Sequence, residues 1–288
     1  MNRVGIDVGG TKCLGVVIDD SGAVVGQLRR PTPHADQLVD LLAGMHAQLD
    51  PRAPLGVGVP GLITHDGVIR ASPNLVGAHD IEVGPQLRRR TGHVVTVDND
   101  ATMAALGEWR IGAARGFDDA VVVTLGTGIG GGIVMGGRLQ RGAHGFAGEI
   151  GHMLVDRGGI ECPCGRRGCW ERYASGSSLT RMSGGLPGEE LFARCRDADA
   201  DALAVLEEFI GWIAVGLASL TNICDPDVIV LGGGVVESLR DHEQSVREAL
   251  TRSLYSSKWR PHPRLAMAEL GEMAGAIGAA LRTDPANS

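Results

Sequence analysis

Positive charge is not in excess in this sequence: 27 Lys and Arg stand against 34 Asp and Glu, giving a net charge of −7 and a pI near 5.7. That balance argues against a broad surface for nucleic acid or anionic membrane. The triplet Arg88-Arg89-Arg90 reads as a solvated helix end. Long hydrophobic runs are also missing. The longest, Phe209 to Cys224, is short of a bilayer span, contains Gly211 and Gly216, and is bracketed by Glu207, Glu208 and Asp225, so a buried helix is expected. The opening MNRVGIDVGG has no apolar leader and runs straight into a strand. Cys13, Cys195 and Cys224 are scattered and read as reduced core thiols, so a cytoplasmic protein is expected. One familiar nucleotide pattern is absent as well, and a second does not describe the first glycine turn. No glycine turn fits G-x-x-x-x-G-K-[ST], and the first does not fit G-x-G-x-x-G, which weighs against a nicotinamide cofactor.

What is present is an ordinary globular composition, 43% hydrophobic and 21% charged over 288 residues. That suits one large domain or two of common size with ample core. The most informative stretch runs from Gly145 to Gly176. Cys162, Cys164 and Cys169 follow C-x-C-x4-C, and His152 precedes the first of them. Three thiolates and one imidazole complete a tetrahedral shell of the closed, structural zinc type, with no position left for a reactive water. Gly165 and Gly168 let the loop turn tightly around the ion. Three ordinary buried thiols so close together would be hard to pack. Glu149 and Glu171 flank this loop, so the zinc is expected to clamp a polar pocket.

Along the chain, VGIDVGGTK followed by CLGVVID reads as strand, glycine turn, strand, and AVVVTLGTGIGGGIVMGG repeats the theme from Ala120. Two related α/β halves follow, each with a glycine turn facing a common cleft, and a boundary near Gly112 to Gly116. Helices are expected over 36–49, 81–90, from Asp100 onward and over 272–282, with buried strands over 55–59, 94–97 and 227–231. A turn with little side chain lets backbone N–H groups approach an oxyanion closely. Asp7-Val8-Gly9-Gly10-Thr11-Lys12 and Leu125-Gly126-Thr127-Gly128 have that character, against the plainer reading of two tight hairpins. Gly232-Gly233-Gly234 is a third turn, able to admit the flat face of a base. Asp7, at a strand end, could hold magnesium through water. Asp100 could accept a proton from an attacking hydroxyl. Asn99-Asp100 also suits helix capping, and Asp98 is a rival base that spacing alone does not exclude.

Taken together, DVGGTK, LGTGIGGGIVMGGRLQRGAHGFAGEIGH and CPCGRRGCWERYASG resemble the ROK family of bacterial sugar kinases and repressors, most closely its zinc-containing glucokinases. The resemblance runs from Gly5 to about Gly278. It implies an actin-like, hexokinase-type fold of two duplicated, ribonuclease-H-like lobes around a central cleft. The expected lobes are 1–112, joined by the C-terminal helix about 272–288, and 113–271 with the zinc loop 152–169. It implies transfer of the ATP γ-phosphate to a hexose, with Mg2+ accompanying ATP, structural Zn2+, and a homodimer or homotetramer. By the same resemblance Asp100 matches the catalytic base. Asn99, Glu149, His152 and Glu171 match sugar-binding residues, and Gly61 a backbone contact. His152 would bind zinc with one ring nitrogen and face the sugar with the other, with Cys162, Cys164 and Cys169 as the remaining ligands. Asp7, Gly9, Gly10, Thr11, Lys12, Gly126, Thr127, Gly128, Gly233 and Gly234 would serve the nucleotide and its metal. Family glucokinases often carry an aromatic residue after the Asn-Leu that corresponds to Asn74-Leu75; here Val76-Gly77-Ala78-His79 follows. The segment Met182 to Gly188 is short and glycine-rich for the family. Glucose is the expected acceptor. A kinase for mannose, fructose or an N-acetylated amino sugar, polyphosphate as donor, a non-catalytic sugar-binding protein, and a sugar-sensing repressor are the alternatives. The repressor would need a helix-turn-helix ahead of the first glycine turn, where only four residues precede Gly5.

Overall fold

The structure, a computed structural model, describes residues 1–72, 75 and 77–287. Pro73, Asn74 and Val76, on which the comparison of the segment after Asn74-Leu75 depends, lie outside the described residues. The chain divides into two compact units: Met1–Gly116, Gly132–Gly148 and Glu269–Ser288 form one, Phe117–Gly131 and Glu149–Ala268 the other.

The strands and helices of the chain follow in order: β1 (Arg3–Val8), β2 (Lys12–Ile18), β3 (Val24–Pro31), α1 (Leu38–Leu49), β4 (Leu55–Val59), β5 (Leu62–Ile63), β6 (Ile69–Ala71), β7 (His79–Ile81), α2 (Val83–Thr91), β8 (Val95–Asn99) and α3 (Asp100–Ile111). After these come β9 (Ala120–Leu125), β10 (Ile129–Met135), β11 (Arg138–Leu139), α4 (Glu171–Ala174), α5 (Gly176–Met182), α6 (Gly188–Arg196), α7 (Ala200–Cys224), β12 (Val228–Gly232), α8 (Val236–Leu239), α9 (Glu243–Ser253), β13 (Arg264–Met267) and α10 (Ala274–Arg282).

In the first unit the sheet order is β3-β2-β1-β4-β8, with β1, β4 and β8 parallel and β2 and β3 antiparallel additions. Both faces of the parallel strands are covered, which is why VGIDV and LGVGV are apolar almost throughout. On one face Leu38, Leu42 and Met45 of α1 pack with Val4, Ile6, Leu55 and Val57. On the other, Met103 and Leu106 of α3 and Ile277 and Leu281 of α10 join Leu14, Val16 and Ile18. Helix α10 lies directly on the strands because Gly5 and Gly56 have no side chain. A Cβ there would stand 1.9 Å from the Ala276 carbonyl oxygen and 1.7 Å from that of Ala279.

The second sheet has the order β11-β10-β9-β12-β13, with β9, β12 and β13 parallel; β10 starts in the second unit and ends in the first. The two sheets thus share one connectivity, which is the repeat seen in the sequence at Val4 and at Ala120. Asp199 caps the 25-residue α7, accepting from the Asp201 and Ala202 N–H groups, and Asp225 ends it in the left-handed conformation at φ 45°. By length and composition α7 could cross a membrane, but 50% of its most apolar window is buried inside the protein. Gly216 on α7 leaves room for Trp170, since a Cβ would lie 1.9 Å from its Cε2.

Candidate active site

In the first unit the site begins at the carboxyl ends of parallel strands. Asp7 ends its run on β1 beside β4, where Gly58 and Gly275 replace side chains that would strike it. A Cβ on Gly275 would sit 2.7 Å from Asp7 Cγ, and one on Gly58 3.3 Å from both Asp7 Oδ1 and Asp100 Cα. Burial, then the Asp100 charge, push the Asp7 carboxyl up to about 8, and Lys12 pulls the other way. Asp7 Oδ1 is buried without a hydrogen-bond partner. An orphaned carboxylate oxygen, acid-flanked and set at a strand end, fits a hydrated divalent cation such as Mg2+. The turn Gly9–Lys12 closes by Gly9 N–H donating to the Lys12 carbonyl at 2.9 Å, and the Thr32 hydroxyl donates to the Gly9 carbonyl at 2.6 Å. Lys12 Nζ rests 2.8 Å from Glu272, which Arg29 also contacts.

The end of β8 and the first residue of α3 deliver three polar residues in succession, each in different surroundings. Asp98 is 2% exposed and faces two guanidinium groups, Arg141 Nε at 2.5 Å and Arg282 Nε at 3.7 Å. Arg141 also donates to His65 Nδ1 at 2.8 Å, so His65 carries its proton on Nε2, which reaches the Gly142 carbonyl at 3.1 Å. Asn99 caps α3, its Oδ1 accepting from Thr102 N–H at 3.0 Å, while its Nδ2 donates to the Gly61 carbonyl at 3.2 Å. An amide NH2 has two hydrogens, so one remains for a ligand. Gly61 itself sits at φ 110°, and a Cβ would lie 2.2 Å from the Ala71 carbonyl oxygen. Asp100 opens α3, accepting from Ala101 N–H at 2.9 Å, and burial pushes its carboxyl up to about 6.

In the second unit His152, Cys162, Cys164 and Cys169 meet as the spacing predicts, with all four ligand atoms within 4.8 Å of one another. Cys164 and Cys169 sulfurs are 3.6 Å apart, and His152 Nδ1 is 3.9 Å from Cys162 Sγ. Tetrahedral zinc, with bonds of about 2.0–2.3 Å, sets such atoms roughly 3.5–3.8 Å apart, so the residues fit that ion. The loop is built for it: Gly165 N–H donates to the Cys162 carbonyl at 2.9 Å, and Gly168 at φ 78° leaves no room for a Cβ, which would be 1.6 Å from the Asp156 carbonyl oxygen. Two aromatics fasten it to α7. Trp170, fully buried, donates its indole N–H to the Trp212 carbonyl at 2.8 Å, and the Tyr173 ring packs on that of Trp212 with centroids 4.4 Å apart.

His152 presents its two nitrogens in opposite senses. Nδ1 faces the thiols and Nε2 stands 3.9 Å from Glu149 Oε2. Glu171 Oε1 lies 3.0 Å from Cys162 Sγ and 3.6 Å from His152 Nδ1, while its Oε2 would be 2.7 Å from a Cβ on Gly128. That carboxylate therefore bridges the cysteine loop and the second glycine turn.

Beside the same turn is a cavity of about 570 Å³ lined by Gly126, Thr127, Gly176, Ser177, Thr180, Phe192 and Gly234 among others. Gly126, Thr127 and Gly234 were expected at a nucleotide site. Gly128 lies against Glu171, and Gly233, at φ 90°, against the Leu125 carbonyl. Sequence reasoning did not single out Ser177, Thr180 and Phe192. Ser177 donates to the Thr127 carbonyl at 2.7 Å and Gly176 N–H to that of Gly126 at 2.8 Å, so α5 holds the turn open. The small residues of Ser175-Gly176-Ser177 next to the cysteine loop were the available signal.

Comparison with known proteins identifies the family. Residues 3–283 match the ROK family, and the chain belongs to it. A ROK family glucokinase from Streptomyces griseus, solved in complex with glucose and AMPPNP, is 33% identical with a TM-score of 0.87, covering 97% of this chain and 98% of that one. The glucokinase of Streptomyces coelicolor is 31% identical over 304 residues, 96% of each chain. The N-acetyl-D-glucosamine kinase of Pectobacterium atrosepticum is 32% identical over 96% of this chain and 97% of its own. The protein is a sugar kinase, a phosphotransferase of the ROK family.

Proposed function

We propose that the protein is a glucokinase, transferring the γ-phosphate of ATP to the 6-hydroxyl of D-glucose. The observation that carries the mechanism is the division of labour on β8. Asp98 is engaged by two arginines, whereas Asp100 is a half-buried carboxylate with its pKa near 6, suited to accept a proton at neutral pH. Asp100 takes the hydroxyl proton as that oxygen attacks the γ-phosphorus in line, while the bond from phosphorus to the β,γ-bridging oxygen breaks and ADP leaves. Asn99, the Gly61 backbone, Glu149, His152 Nε2 and Glu171 orient the ring by hydrogen bonds to its hydroxyls. The amides of Gly9–Lys12 and Gly126–Gly128 receive charge on the phosphates, and Lys12 exchanges Glu272 for phosphate oxygens. The cavity beside Thr127 and Gly234 takes the nucleoside. Magnesium, when bound with ATP, neutralises phosphate charge, and Asp7 is the residue that would hold it through water. Zinc, when bound, supplies no chemistry of its own in a full shell; His152 and the three cysteines would hold it and so fix the Glu149 and Glu171 side of the sugar site.

Glucose is chosen on the likeness in fold to the Streptomyces griseus enzyme solved with glucose; the N-acetyl-D-glucosamine kinase is as similar in sequence, and the acceptor is decided by assay. We place the enzyme in the cytoplasm as a homo-oligomer, with no nucleic-acid or membrane partner, in line with its acidic charge. The test is product formation from ATP and Mg2+ over a panel of hexoses, with Asp100→Asn alongside. Rapid, Asp100-dependent turnover of glucose above the others is expected. Preference for an N-acetylated sugar would keep the mechanism and replace the substrate. No turnover with any sugar by zinc-loaded protein would sink the kinase reading.

A further inference from the structure

One acid in the first unit is buried among backbone amides. Glu108, near the end of α3, is 1% exposed. Its carboxylate accepts from Ala113 N–H at 2.9 Å, from Glu269 N–H at 3.1 and 3.2 Å, and from Leu270 N–H at 2.8 Å. Its carbonyl accepts from Gly112 and Ala114 at 3.1 and 3.0 Å, so backbone and side chain together terminate α3. Gly112 is required there: a Cβ would be 2.2 Å from Glu108 Oε2. The chain leaves the first unit after Gly116, passes through it again over Gly132–Gly148, and returns for the last time at Glu269. One carboxylate thus grips the segment just before the first exit and the two residues just after the last return.

Those two residues lead into α10, and α10 forms the wall behind Asp7. Gly275 touches the Asp7 carboxyl, Gly278 lies where a Cβ would be 1.7 Å from the Met103 carbonyl oxygen, and Gly107 where one would be 2.7 Å from that of Ala274. The glycines let the two backbones cross at close range, with Met103 and Leu106 of α3 packed beside Ile277 and Leu281 of α10. The amide contacts to Glu108 add a polar tie at the start of α10, since a buried carboxylate holding several N–H groups is costly to release.

We propose that Glu108 is a positioning residue for phosphoryl transfer. It fixes the start of α10 on the end of α3, and through them the separation of Asp7, backed by α10, from Asp100, carried by α3. The proposal rests on the kinase reading of the site for its kinetic consequence, though not for the clamp itself.

The experiment compares Glu108→Gln and Glu108→Asp in the full chain with wild type. Gln keeps the size but turns one acceptor into a donor facing amide N–H groups. Amide hydrogen exchange at Ala113, Glu269 and Leu270 should rise at least tenfold in Glu108→Gln. Turnover should fall at least tenfold, the Mg2+ concentration for half-maximal rate should rise several-fold, and KM for glucose should stay within twofold. Glu108→Asp, which keeps the charge, should recover part of the turnover and of the exchange protection. A lower melting temperature with wild-type turnover and Mg2+ dependence would overturn the proposal, leaving Glu108 a purely structural residue. Unchanged exchange at the three amides would overturn it too. If Glu108→Gln does not fold, Glu108→Asp carries the same readouts, with the same outcomes deciding. If wild type phosphorylates no sugar, the kinase reading has failed, and the exchange data still decide the clamp.

Discussion

At the residue scale, the two acids that matter most are paired by chemistry but not by environment. Asp98 and Asp100 are close in sequence and of one type, yet one faces Arg141 and Arg282 and the other faces none among the described residues. Removing the Asp98 charge should leave two buried guanidinium groups uncompensated, at a cost of about 3–5 kcal/mol. Chemical denaturation of Asp98→Asn measures it; a loss below about 1 kcal/mol would mean that the arginines relax to solvent. Burial pushes the Asp98 carboxyl up as well, with Arg141 and Arg282 pulling the other way, whereas no arginine offsets the burial of Asp100. Burial raises its pKa to about 6, so the folded state binds its proton more tightly than the unfolded state, whose value is near 3.8. Below pH 3.8 both states are protonated and the burial costs nothing. Between pH 3.8 and about 6 the unfolded state gives up its proton while the folded state keeps it, so stability is lost across that window and stays lost above it, once the charge has formed inside the fold. Asp100→Asn should therefore raise the melting temperature at pH 7.5, an advantage that disappears near pH 4, while cutting kcat by about 10²–10⁴-fold. Wild-type kcat/KM should fall with unit slope below pH of about 6. A flat profile between pH 5 and 7 would remove Asp100 from the role of base.

At the element scale, close approach permitted by glycine recurs as the device that sets helices against the site. Gly5 and Gly56 seat α10 on its sheet, and Gly216 seats Trp170 on α7. Gly216→Ala forces a methyl into the Trp170 ring, an overpacking that should cost about 1–3 kcal/mol. Because Trp170 lies between Cys169 and Glu171, the same change should weaken zinc retention, readable by metal release to a chelator. Full stability with normal zinc content would show that α7 adjusts freely at this point.

At the scale of the whole molecule, the cysteine loop is a local structure docked on a unit with its own core. Trp170 and Tyr173 pack on Trp212 of α7 through contacts that include none of the four metal-ligand side chains. Chelating zinc should therefore leave the helical content of the protein nearly unchanged while amides over 152–169 lose exchange protection and sugar affinity falls. Global unfolding on chelation would instead make the metal a condition of the fold.

The sequence determined the parts that depend on spacing along the chain. The three cysteines and His152 come together because their loop is short and its turns are glycines, so local geometry alone closes the shell. The repeated strand–turn–strand theme at Val4 and Ala120 fixed the shared sheet order, because a hairpin and the parallel strands beside it are written in apolar runs and turns. The end of β8 was less legible: Asp98, Asn99 and Asp100 are all good capping residues, and nothing local ranks them. Tertiary structure separates them, since Arg141 and Arg282 reach Asp98 from distant segments and only packing brings them there. It also set the surroundings of Gly128, Ser177 and Glu108. Each depends on a partner far along the chain, at Glu171, Thr127 and Glu269, and sequence spacing carries no record of such contacts.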